Sequence, residues 1–205
     1  SKDDIYAEGR KMINEVEARG VDIATGHGSA IWDLNPKLEA KVKALYEDAK
    51  ISIRSELTPA FVKSIPKALP VSTLSKDREN YILHPETGEK LSPKAIAALE
   101  DIRDSWGEAI PKGQIVISDG LNANAIMDEG HLAPFLDELG KLLSEAHVPM
   151  SETNIVVTNG RVRAGYRIGE LLFEKTDPSA FRGILHIIGE RPGTMHHSYS
   201  MYITV

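Results

Sequence analysis

The residues best placed for chemistry are Glu190 and Arg191, in the pentapeptide Gly189-Glu190-Arg191-Pro192-Gly193 that follows the apolar run Ile184-Leu185-His186-Ile187-Ile188. A charged pair locked into a rigid Gly/Pro turn at a strand end is a position from which proteins contact ligands. Arg161 and Arg163 flank Val162 after a second apolar run, 154–158. Their planar guanidinium forks suit a phosphate or a carboxylate, with a surface or interchain salt bridge as the alternative use. Asp119 ends a third run, 114–118, and precedes Gly120. It reads either as a strand-end turn that caps the next helix or as a carboxylate at a ligand edge.

Other candidates are weaker. Gly26-His27-Gly28-Ser29-Ala30 lacks the Gly-Lys-Ser/Thr ending of a P-loop, and Ile31 stands where a dinucleotide fingerprint needs its third glycine, so an ordinary interhelical loop is expected. Of the seven histidines, only His196 and His197 are close together, and neighbours on a strand point to opposite faces. No metal site is expected. His186, inside an apolar run, reads as a hydrogen-bonded core imidazole, and His131 as a neighbour of a helix cap. The cysteine count is zero, which excludes disulfides, zinc–thiolate sites and a thiol nucleophile in this chain. With no activated nucleophile, paired carboxylates or cofactor fingerprint, the residues describe a ligand-binding module whose chemistry another chain supplies.

Three apolar runs, each ending in a Gly-containing polar turn, predict parallel strands at 114–118, 154–158 and 184–188 with their ligand edge on one side. A fourth strand is expected at 199–204, in the same sheet. Between them, 132–146 carries Leu132, Phe135, Leu136, Leu139, Leu142, Leu143 and Ala146 at helical spacing, and 165–174 carries Ile168, Leu171 and Leu172. Upstream, helices are expected over 2–19 (ended by Gly20), over 36–53 (Asn35 N-cap, Pro36 at N1) and over 93–105 (capped by Ser92). Residues 58–85, with four scattered prolines, read as irregular. The fold class expected is α/β: a mostly helical region, 1–112, followed by a Rossmann-like, mostly parallel sheet flanked by helices, 113–205.

The 205 residues carry a formal net charge of −6 and are 41% hydrophobic, enough for a sizeable core. No basic stripe points to nucleic acid, and no apolar run approaches the ~20 residues of a membrane span. A soluble, cytoplasmic protein is expected. The run 199–205 stops without a turn or polar tail, as a strand with natural sequence beyond it would.

Three segments in this order, IVISDGLNANAI from Ile115, GRVRAGYRIGELL from Gly160 and GILHIIGERPGTMHHSYSMYIT from Gly183, resemble the small subunit of ethanolamine ammonia-lyase. The likeness is strong over 114–205, fainter around Gly88 and the helix after it, and weak before that, where Thr25-Gly26-His27 stands in place of the family's Thr-Gly-Arg. The resemblance implies an adenosylcobalamin-dependent lyase that converts ethanolamine to acetaldehyde and ammonia by a radical route. It implies a hetero-oligomer in which a large subunit binds ethanolamine and the small subunit closes over the cobalamin between them. The setting would be the cytoplasm, free or inside a bacterial microcompartment. Carried over by motif, the cobalamin-contacting positions are Val162 and Glu190. A third family contact, a cysteine, falls in a C-terminal segment beyond Val205. The absence of DxHxxG agrees with a cofactor that keeps its own lower base on cobalt. A free-standing Rossmann-type nucleotide- or phosphate-binding enzyme is the rival reading, against which the missing GxGxxG counts. A structural partner that has lost its ligand edge is the other.

Overall fold

The computed structural model describes residues 1–21, 23, 34, 36–177, 179–193 and 197–205. The loop 26–30, Thr25, the Asn35 cap and His196 lie outside these. The chain divides into two compact units, 1–47 and 48–205. The first holds α1 (Lys2–Glu17), begun by a capping box in which the Ser1 hydroxyl accepts from the Asp4 amide and the Asp4 carboxylate reaches back to the Ser1 nitrogen. No residue of α1 is buried. Helix α2 (Pro36–Arg54) starts in this unit, and its residues 48–54 belong to the second.

The second unit is an α/β layer structure around one five-stranded sheet. Its strands are β1 (Ala68–Ser72), β2 (Gly113–Ser118), β3 (Asn154–Thr158), β4 (Gly183–Gly189) and β5 (Tyr199–Thr204), in the order β1-β3-β2-β4-β5. The first four are mutually parallel and β5 is antiparallel to β4. The expected sharing of one sheet by strands near 114–118, 154–158, 184–188 and 199–204, the first three of them parallel, is what forms.

The inner strands are mostly apolar, with buried Gln114 in β2 and His186 in β4 as exceptions, because both faces are covered. Val116, Ile155, Val157 and Ile184 face α5 (Pro93–Ser105) and α8 (Val162–Phe173), joining Leu99, Ile168 and Leu172. Ile117, Val156 and Ile187 face the opposite layer, built by α3 (Pro59–Ser64), α6 (Ala123–Met127) and α7 (Leu132–Glu145). Each such side chain, fully buried, contributes roughly 1.5–3 kcal/mol relative to exposure. Crossovers that reverse direction along the sheet also switch face, the condition for all of them to share one hand.

Residues 58–85, expected to be irregular, are instead ordered into α3, β1 and α4 (Arg78–Leu83), followed by a 3-10 turn, Pro85–Thr87. Three of the prolines that suggested an irregular segment have defined places. Pro59 stands at the start of α3 and Pro85 at the start of the 3-10 turn, where a missing N–H costs nothing. Pro70 lies in β1, an edge strand that pairs only with β3. The unit 48–205 therefore contains residues from both sides of the compositional change at 112/113. Helix α8 also begins earlier than expected, at Val162 and not at Gly165.

Candidate ligand cleft at the carboxyl edge of the sheet

The turns after β2, β3 and β4 gather at one edge. β2 sends the chain to one face of the sheet and β3 sends it to the other. Open parallel sheets bind ligands in the crevice left where connections part in this way. The floor of that crevice is main chain. Gly120 adopts φ +53°, and a Cβ there would lie 2.1 Å from the Gly189 carbonyl oxygen. A Cβ on Gly189 would lie 2.1 Å from the Asn122 carbonyl oxygen. The Leu121 amide donates to the Gly189 carbonyl at 3.0 Å, lacing the two turns together. Asn122, from the same turn, caps α6 through its side chain.

Above this floor lies a cleft of about 160 Å³ whose wall includes Val162 and Glu190. Val162 is the first residue of α8, and Glu190 follows β4 directly. The Glu190 amide donates to the Ser198 carbonyl at 2.9 Å, and its carboxylate accepts from the Tyr202 hydroxyl at 3.0 Å. That bond, with the adjacent negative charge, raises the Tyr202 phenol above its ordinary pKa. Arg191 lines the same cleft and is exposed. The volume is below the roughly 300–1,000 Å³ of pockets that enclose a drug-sized ligand. On its own the cleft is too small to enclose such a ligand.

Asp119 does not face the cleft. It is fully buried behind it, taking the Asn159 amide at 2.9 Å and the Gly160 amide at 3.2 Å on its two oxygens, with Arg78 Nη1 at 3.5 Å. Burial pushes its pKa up to about 6, against the pull of Arg78 and the two amides. It fixes the turn between β3 and α8, where Asn159 is left-handed at φ +55°. Asn159 uses its whole side chain there, accepting from Arg78 Nη1 at 3.2 Å and donating to Glu56 Oε1 at 3.0 Å. The Gly160 carbonyl accepts from both the Ser118 and the Tyr81 hydroxyls, at 2.9 and 3.0 Å. Arg78 and Arg161 stack on Tyr81, with guanidinium carbons 4.7 and 4.6 Å from the ring centroid. Arg163, by contrast, turns outward to Glu89 at 3.1 Å, so the two arginines around Val162 do not act together.

Sequence reasoning missed Arg78 and Tyr81, because both lie in the stretch read as irregular. Gly88 was the only signal there. A Cβ on it would lie 2.6 Å from the Tyr81 ring and 2.9 Å from the Arg161 stem. His186 departs from expectation too. It is buried, but neither ring nitrogen makes a hydrogen bond of normal geometry, and the nearby Val162 carbonyl offsets only part of the burial. Burial holds its pKa down to about 4. His131 has no capping bond and faces the Ala125 carbonyl through Nδ1 at 2.8 Å. Away from the cleft, His197 Nδ1 lies 2.6 Å from Asp128 and its Nε2 3.4 Å from Asp48. Among the described residues, no group of three or more His, Asp or Glu side chains is arranged to hold a metal ion. Nor is any helix long and apolar enough to cross a membrane.

The two buried titrations oppose each other. A depressed His186 contributes stability that is present above pH 6.5 and is lost as pH falls toward 4. A raised Asp119 contributes stability that is present below pH 3.8 and is lost as pH rises through about 6. His186→Leu should therefore remove one of them. Relative to the unaltered chain, the variant should gain about 2 kcal/mol between pH 6.4 and 4.6. Denaturant unfolding at those two values measures this, and a pH-independent difference would contradict it. The range lies below the window of His197, whose pKa is raised because its two aspartates outweigh its burial.

The fold and cleft define a class: an open, mostly parallel α/β protein with a small cleft at the carboxyl edge of its sheet. Residues 10–205 match the family described as ethanolamine ammonia-lyase light chain (EutC), and the chain belongs to that family. It is similar to the ethanolamine ammonia-lyase small subunit of Pseudomonas fluorescens (strain Pf0-1), at 32% identity over 142 residues, 67% of this chain and 47% of the relative. The chain spans about half the length of that curated relative.

Proposed function

We propose that this chain is the small subunit of an adenosylcobalamin-dependent ethanolamine ammonia-lyase and forms one wall of the cobalamin cleft, with ethanolamine held by a large subunit. The observation that carries the reading is that Val162 and Glu190 line a single cleft although they are separated in sequence by all of α8 and β4. The residues suit a large, mixed-polarity cofactor. Gly120 and Gly189 let the two turns under the cleft pack main chain to main chain, Val162 offers an apolar contact at a helix start, and Glu190 offers a carboxylate already oriented by Tyr202. The cofactor, when bound, supplies the radical chemistry that breaks the substrate's carbon–hydrogen bond. This chain's part is to bind, orient and exclude water. Val162 packs against the ligand, Glu190 accepts a hydrogen bond from it, and the glycine floor sets how deeply it sits.

Two experiments test this. Acetaldehyde release from ethanolamine should be absent with the chain and adenosylcobalamin alone, and should appear when the large subunit is added. Turnover by the isolated chain would contradict the division of labour. In the assembled enzyme, Glu190→Ala should weaken cobalamin binding by about 10- to 100-fold, the equivalent of ~1.5–3 kcal/mol for a hydrogen bond to a charged group. The thermal midpoint of the chain should change little, because Glu190 is only half-buried. Unaltered cobalamin affinity would remove Glu190 from the site.

A further inference from the structure

Arg161 is a cation built into the cleft wall. Its guanidinium is clamped 4.6 Å from the centroid of the Tyr81 ring, and Nη2 donates to the Tyr81 carbonyl at 3.2 Å. Its Nε is buried with no acceptor. The neighbouring arginines are neutralised elsewhere, Arg78 against Asp119 and Arg163 against Glu89, whereas Arg161 pairs with no carboxylate among the described residues. Glu190, the carboxylate of the same cleft, is engaged by Tyr202. Arg161 is also the N-cap residue of α8, a helix of 12 residues, and makes no side-chain capping bond. The Ala164 amide donates to the Arg161 carbonyl at 2.9 Å, whereas the Val162 and Arg163 amides find no partner among the described residues, and Val162 lines the cleft. A preorganised guanidinium fork beside unfilled helix amides is the arrangement that recognises a phosphate oxygen pair.

We propose that Arg161, together with the first-turn amides of α8, binds a phosphate ester of the ligand that occupies this cleft. The proposal rests on the cobalamin reading above and names the part of that molecule involved. Complete cobalamin carries one phosphodiester in its nucleotide tail, and cobinamide carries none. A guanidinium already stacked and half-satisfied loses little freedom on binding, so its contribution falls on the anion-bearing ligand alone.

The test has two arms. In the first, the chain assembled with its large subunit is titrated with cobalamin and with cobinamide, for the unaltered protein, Arg161→Gln and Arg161→Lys. Arg161→Gln should weaken cobalamin about 10- to 100-fold and leave cobinamide within about twofold, and Arg161→Lys should fall between. Equal weakening of both corrinoids, or of neither, overturns the proposal. Thermal midpoints of the variants identify any loss that comes from misfolding through the Tyr81 stack. In the second arm, inorganic phosphate is titrated into the full chain alone and followed by nitrogen–proton NMR. Shifts at Arg161 Nε–H and the Val162 and Arg163 amides, abolished in Arg161→Gln, support the site. If cobalamin fails to bind the assembly while phosphate moves these signals, the cofactor reading falls and the anion site stands. If cobalamin binds with no dependence on Arg161 and phosphate moves nothing, the anion site falls and the cofactor reading stands.

Discussion

Alanine at Gly189 should cost more than about 4 kcal/mol or prevent folding altogether. The added Cβ would sit 2.1 Å from the Asn122 carbonyl oxygen and 2.6 Å from the Asp119 carbonyl oxygen. Both are main-chain atoms of the turn after β2, and neither has a rotamer through which to escape. Relief would require β2 and β4 to part at their carboxyl ends, breaking the bond from the Leu121 amide to the Gly189 carbonyl. Overpacking among side chains typically costs ~1–3 kcal/mol, and a collision with fixed backbone exceeds it. Gly120→Ala should behave alike, since it adds a left-handed φ of +53° to a contact of 2.1 Å with Gly189. Gly193→Ala, in the same turn as Glu190, is the control. Among the described residues its Cβ would meet nothing closer than 3.8 Å, so a change within about 0.5 kcal/mol is expected. Denaturant unfolding of the three variants decides the matter. A Gly189→Ala chain as stable as the Gly193→Ala chain would show that the two turns are not in contact.

Asp119→Ala should destabilise the chain by about 3–5 kcal/mol. It strips the acceptor from two buried amides, Asn159 and Gly160, and leaves Arg78, only 7% exposed, without its counter-charge. The expected sequel is loss of the left-handed Asn159 turn, which sets where α8 begins and so where Val162 stands. Asp119→Asn keeps one acceptor and should lose distinctly less. The effect should also differ with pH. Because burial raises the pKa of Asp119 to about 6, the unaltered chain loses stability as pH rises from 5 to 7. Asp119→Asn, which does not titrate, should therefore compare more favourably with the unaltered chain at pH 7 than at pH 5. An alanine variant of unchanged stability would mean that the two amides find other acceptors.

The strands that frame the cleft were legible because their physics is local. A parallel strand covered on both faces must be apolar at consecutive positions, and Ile115 to Ile117, Ile155 to Val157 and, with His186 as the one exception, Ile184 to Ile188 are. Glycines in the turns after all three pointed to one shared edge of the sheet. What stayed hidden depends on partners far along the chain. β1 is an edge strand only five residues long with a proline inside it, so it lacks the continuous pattern of its neighbours. Tyr81 and Arg78 acquire meaning only against Gly160 and Asp119, some eighty and forty residues away. The early start of α8 was masked because Arg161-Val162-Arg163 reads as a polar turn. The Asp119 carboxylate that fixes Asn159 and Gly160 just before it belongs to another strand's turn. Asp119 itself offered two readings at the sequence level. The structure selects a third, an internal brace between two loops. His186 looked like an ordinary buried imidazole needing a partner. It lies instead against Gly165, where a Cβ would come within 2.5 Å of Nδ1, with the nearby Val162 carbonyl offsetting only part of its burial.

The main-chain floor of the cleft also has a consequence for heredity. A surface made of peptide groups carries no side chain for mutation to exchange, so its chemistry is inherited unchanged for as long as Gly120 and Gly189 persist. Replacement at either position ends the fold before it can alter the ligand. Variation that the protein survives is therefore channelled to the rim, to Val162, Glu190 and Arg191, where a new side chain alters contacts without moving the sheet.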